Sequence, residues 1–139
     1  MQTPQVSQDA LLPFTRLVLG VSALVQLIFG LLGLLLTNLW NSLIWTAPLP
    51  PWPSEAAHFA FINYLATAAA AAFALYQGRW SGARVYLVFA FSYNLLSLLV
   101  VFLTAANPGV PAIMWLLVAL GLIYLPAVAV AWQRQAQVH

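Results

Sequence analysis

Charge is what this chain has least of. Of its 139 residues, four are basic, two are acidic, and the charged share is 4%. Lysine is absent. The basic residues are Arg16, Arg79, Arg84 and Arg134, and the acids are Asp9 and Glu55. A soluble domain carries roughly 25% charged residues to keep its surface solvated. Six charges cannot do that here, so the solvent for most of this surface is lipid. The isoelectric point is near 9.4, yet four scattered arginines form no basic patch, and a nucleic-acid partner is excluded on that ground. Cysteine is absent as well. That removes disulfides, iron–sulfur clusters, thiolate zinc sites and thiol redox chemistry.

What the chain has instead is apolar length. Hydrophobic residues make up 64% of it, and its mean hydropathy is +0.95. A helix needs about 20 apolar residues to cross a hydrocarbon core of ~30 Å. Four such runs are present, predicting transmembrane helices over 14–37, 56–77, 83–105 and 111–133, with a Pro/Trp-rich external loop over 38–55. In lipid an unpaired backbone group costs several kcal/mol, so continuous helix is the expected state of each run. The alternating pattern of a β-barrel is missing. The expected fold is an all-α membrane protein, a single antiparallel up-down bundle of four transmembrane helices. The first run is longer than the roughly 7–15 residues of a signal-peptide core and lacks a small-x-small cleavage site, so it is expected to remain as an anchor.

The turns fit this division. Pro48, Pro50, Pro51 and Pro53 interrupt the chain before the second span. Gly78 is placed to end the second span and Ser81 to cap the third; Pro111 suits the first turn of the fourth. All four arginines fall on one side of this topology, and the other two loops contain no basic residue. By the positive-inside rule, both termini are expected in the cytoplasm. Trp40, Trp45 and Trp52 on one side, with Trp80 and Trp132 on the other, are expected as interfacial anchors.

Small residues permit close helix contact in lipid. Ala60, Ala68 and Ala72, with Ala66, Ala70 and Ala74, recur at four-residue spacings on the second span, predicting a central, tightly packed helix; Gly20, Gly30 and Gly33 offer the same on the first. Counting ~1.5 Å per residue inward from the arginines places Gln26, Thr67, Asn94 and Tyr124 in one mid-membrane layer. That layer reads either as interhelical hydrogen bonding or as a small polar pocket for a lipid, quinone or other neutral ligand, with Pro126 positioned to open space beside Tyr124. Tyr86, Tyr93 and Ser97 share a face of the third span and read as packing.

A second group, Glu55 and His58 with Asn63 one turn deeper, lies at the outer mouth. Glu-x-x-His puts both side chains on one helix face and is the repeated unit of di-iron bundles. Those sites need further glutamates, and this chain has one. The plainer reading makes Ser54 a cap, Glu55 a complement to the helix dipole and His58 an interfacial residue; the other is an external metal or proton site. No metal site is assigned, and no cofactor is identified.

No carboxylate lies at depth to couple protons to export, no ring of charge suggests a channel, and no serine has a base beside it in a span. The chain is therefore read as no enzyme. Arg16-Leu-Val-Leu-Gly20, Phe29-Gly30-Leu-Leu-Gly33, the alanine-rich second span and Gly78-Arg79-Trp80 resemble small bacterial four-helix membrane proteins of the DoxX-like kind, which implies a bacterial inner-membrane protein and no particular site residue. Two functions remain: a non-catalytic subunit or assembly partner of other membrane proteins, or of further copies of itself, and a ligand-binding or transport protein using the polar layer.

Overall fold

The computed structural model describes residues 9–44, 53–105 and 112–138. They form five helices: α1 (Pro13–Leu35), α2 (Thr37–Ile44), α3 (Pro53–Gln77), α4 (Trp80–Ala105) and α5 (Ala112–Ala136). Four of these, all but α2, are long and apolar enough to cross a membrane. The molecule is a multi-pass integral membrane protein, an all-helical bundle of four transmembrane helices in contact with the bilayer.

Helix boundaries follow local chemistry. Pro13 opens α1, where its missing N–H costs nothing. Gly78 closes α3 with φ +63°, a left-handed conformation that a β-carbon would strain, and its N–H reaches the carbonyls of Ala74 and Leu75. The cap of α4 differs from the one the sequence suggested. Helix α4 begins at Trp80, and the Asp9 carboxylate takes the backbone N–H of Ser81 at 3.0 Å and its hydroxyl at 2.7 Å. An acid 72 positions away does what Ser81 was expected to do alone.

The segment read as a loop over 38–55 contains helix structure. After a break at Leu36, the Thr37 hydroxyl donates to the Gly33 carbonyl at 2.6 Å, and α2 runs for two turns before the prolines. Nothing between Thr37 and Ile44 opposes helix, since the prolines begin at Pro48. Residues 53–55 already belong to α3, while 45–52, with Trp45 and Trp52, lie outside the described residues, as do 106–111, including Pro111.

Packing is most extensive between α1 and α3 and between α4 and α5; α3 and α4, although joined by a tight turn, touch much less. Close approach of α1 to α3 depends on two glycines. A β-carbon on Gly30 would fall 2.6 Å from Leu65, and one on Gly33 would fall 2.0 Å from the Phe61 ring. Gly20 is not under the same constraint, because a β-carbon there would make ordinary contact with Leu75 at 3.8 Å. The alanines of α3 are divided. Ala68, Ala71 and Ala74 are buried, whereas Ala60, Ala66, Ala70 and Ala72 are exposed. Helix α3 therefore packs on one face and leaves the other to the surroundings; it is not the central helix that the alanine spacing suggested.

The main core joins all four spans at the end that carries the arginines, the basic end. Val18 and Leu19 of α1, Ala71 and Ala74 of α3, Ala83, Tyr86, Leu87 and Ala90 of α4, and Val128 and Ala131 of α5 form it. Trp80 belongs to this core too. It is buried and meets Trp132 edge-on at 5.0 Å, so it packs inside the protein instead of anchoring it in the interface. At the far end a smaller cluster of Met114 and Val118, packed on Leu98, Val101 and Leu117, joins α4 to α5 alone.

Candidate functional site

Helix α1 presents one buried stripe: Thr15, Leu19, Ser22, Gln26, Gly30 and Gly33. Steps of three and four keep these residues on one face. Two of its polar members, Ser22 and Gln26, bond hydroxyls of neighbouring helices, whereas Thr15 Oγ1 is buried without a partner among the described residues. Ser22 is the hub. Its Oγ lies 2.5 Å from Tyr86 Oη and 2.6 Å from Tyr124 Oη, tying α1 to α4 and α5. Gln26 Nε2 donates to Ser22 Oγ at 3.1 Å and to Tyr86 Oη at 3.2 Å.

Of the four residues that depth-counting placed in one layer, the structure brings Gln26 and Tyr124 to this cluster. It does not bring Thr67 or Asn94. Thr67 Oγ1 donates to the Asn63 carbonyl and Asn94 Nδ2 to the Ala90 carbonyl, both at 2.7 Å and both within their own helices. Such bonds to the preceding turn satisfy a polar group without joining two elements. Ser22 and Tyr86 complete the cluster and were missed as members. The signal for Ser22 was its place four residues before Gln26. Counting Cα depth misplaces a tyrosine, whose hydroxyl sits far from its own backbone, and this hid Tyr86. Pro126 is exposed, and α5 continues through it.

One polar atom in the cluster is unpaired. Gln26 is 8% exposed, and its Oε1 is buried with no hydrogen-bond partner. Exchanging the amide oxygen and nitrogen does not remove the orphan. The hydroxyls would turn to donate, and a buried NH₂ would lack an acceptor instead. Either way one side of the amide faces no protein group, a state that costs roughly 1–3 kcal/mol.

The outer-mouth residues lie elsewhere. His58 is exposed, and its Nε2 is 3.2 Å from Thr37 Oγ1. With its proton on Nε2, His58 donates to Thr37 Oγ1, whose own hydrogen goes to the Gly33 carbonyl. Asn63 is exposed on α3, and the side chain of Glu55 lies outside the described residues. An open depression of about 540 Å³ is lined by Leu35, Leu36, Thr37, Asn38, Leu39 and His58, well away from the hydroxyl cluster. Among the described residues, no three His, Asp or Glu side chains gather as metal ligands.

A third polar assembly, also missed, holds the basic end. Gln135 is fully buried; its Oε1 accepts the Leu12 N–H at 2.8 Å, and its Nε2 donates to the Ala10 carbonyl at 2.9 Å. The same extended segment gives its Leu11 N–H to the Gly78 carbonyl, and the Asp9 carbonyl accepts the Trp80 N–H. Residues 9–12 thus knit together the ends of α3, α4 and α5. Arg134 lies 5.4 Å from the centre of the Phe14 ring, adding a cation–π contact.

The cluster ties together polar side chains of three helices, α1, α4 and α5, and Gln26 can take one more hydrogen-bonding group. No family model, no curated protein and no solved structure matches this chain.

Proposed function

We propose that the chain is a non-catalytic membrane module, a subunit or assembly partner of other membrane proteins, in a bacterial inner membrane with both termini cytoplasmic. One observation carries this reading. The polar side chains of the hydroxyl cluster and of the counted layer are spent inside the protein: Ser22, Tyr86, Tyr124 and the Gln26 amide N–H groups on one another, Thr67 and Asn94 on their own helices. Most of what the spans turn outward is apolar, including the small-residue face of α3 at Ala60, Ala66 and Ala70, where another helix can approach closely. The orientation rests on the four arginines at one end. The bacterial setting rests on the resemblance to DoxX-like proteins.

A second reading has one specific observation in its favour. The unpaired Gln26 amide is suited to a small apolar ligand carrying a hydroxyl or carbonyl group, bound at the hydroxyl cluster.

Native mass spectrometry on the particle extracted gently from its own membrane separates the two. A second polypeptide in fixed stoichiometry supports the module. A bound small molecule that disappears in Gln26→Ala, with no protein partner, overturns the first reading in favour of the second.

A further inference from the structure

The basic end carries charge that no described residue neutralises. Of the protein's two acids, Asp9 is held on the backbone and hydroxyl of Ser81. Glu55 belongs to the first turn of α3, at the opposite end of the bundle. Arg134 is engaged over Phe14. Arg16 and Arg79 are exposed, and among the described residues no hydrogen bond or ion pair engages their side chains.

These two arginines belong to one place. Arg16, in the first turn of α1, lies over the end of α3, with Nη2 3.9 Å from where a β-carbon of Gly78 would stand. Arg79 follows Gly78 directly and is fixed by the bridge that its backbone makes with Ala10. Chain neighbours aside, Arg16 alone comes within 4 Å of that β-carbon position, so the surface beside Gly78 is an open notch. A guanidinium presents a planar fork of donors that matches phosphate oxygens. Apolar surface adjoins the notch on the same helices: Leu17 is 61% exposed and Tyr76 is 88% exposed. Unpaired cations beside apolar surface, at a helix end that meets the bilayer interface, complement a molecule with a phosphate at one end and hydrocarbon at the other.

We propose that Arg16 and Arg79, flanking the notch at Gly78, bind the phosphate of an anionic phospholipid whose acyl chains lie along Leu17 and Tyr76. The site is independent of the subunit reading. It selects among lipids by headgroup charge, because a zwitterionic headgroup brings its own cation to a surface that is already positive.

The test is native mass spectrometry of the full chain released from nanodiscs containing equal parts phosphatidylglycerol and phosphatidylcholine with matched acyl chains. Wild type is expected to retain phosphatidylglycerol preferentially and to lose that preference as salt is raised. Arg16→Gln and Arg79→Gln are each expected to weaken the preference about fivefold. Arg84→Gln, on the same end but away from Gly78, should leave it within twofold of wild type. An Arg84→Gln effect as large as the other two would mean diffuse attraction to the basic end and would overturn the site. A wild type that retains both lipids equally overturns it without recourse to any variant. Displacement of phosphatidylglycerol by millimolar inorganic phosphate alone would show a free-anion site and overturn the lipid assignment.

Discussion

The two halves of this bundle are held together by different chemistry. At the basic end, polar groups do the joining: Ser22 bonds tyrosines from two other helices, Gln135 grips the backbone of residues 10 and 12, and Asp9 caps α4. A single apolar cluster there touches all four spans. At the far end, α1 meets α3 over Gly30 and Gly33, and α4 meets α5 over Met114 and Val118; among the described residues, no buried cluster joins these two pairs. Lipid tails are as apolar as leucine, so apolar side chains gain little by leaving them for one another. Association then depends on close backbone approach or on polar groups that lipid cannot satisfy. The far end uses the first device, within pairs. The basic end uses the second, between pairs.

Substitutions can break that contrast, beginning with the glycine contact. Gly33→Val places branched carbons where the Phe61 ring now lies, and it is expected to cost about 3 kcal/mol or more, since overpacking of this kind forces backbone movement. Reversible unfolding in bicelles measures it, and a neutral result would refute close α1–α3 packing as the far end's main device. Next comes Gln135→Leu, which leaves the Leu12 N–H and Ala10 carbonyl without partners and is expected to cost about 2 kcal/mol. Hydrogen exchange should quicken at residues 10–12 and stay slow in the far half; uniform quickening would mean that the two halves are not separate units.

Ser22→Ala should cost about 1 kcal/mol, because interhelical bonds in membranes average roughly 0.6 kcal/mol and neighbouring tyrosines can bond each other in its absence. The telling control is a double-mutant cycle of Ser22→Ala with Tyr124→Phe. Coupling is expected, and strict additivity would contradict the hub. The smallest effects are assigned to Thr67→Val and Asn94→Ala, each within about 0.5 kcal/mol, because their side chains bond only their own helices. A large loss at Asn94 would mean that it joins two elements after all.

How much of this was legible beforehand depends on the range of the interaction. The four spans were readable because bilayer thickness and backbone satisfaction act on each segment separately. The Gly78 cap was readable because a left-handed turn is a local demand. Gln26 and Tyr124 were placed at a common depth by counting residues. Depth alone does not give rotation about the helix axis, so Thr67 and Asn94 seemed equal members of a layer that they do not join. Asp9 and Gln135 were unreadable for another reason: each serves backbone groups more than 70 residues away, and no spacing rule spans that distance.

The sequence by itself determined that this protein lives in lipid, how many times it crosses, and which end carries the positive charge, since composition and run length fix the solvent that each segment can tolerate. The tertiary structure alone decided which polar groups meet, which alanines face inward, and that, among the described residues, Gln26 Oε1 and two arginine side chains beside Gly78 find no partner. Those outcomes depend on how each helix turns about its own axis and which neighbour it faces, and that choice is made only when the four helices pack.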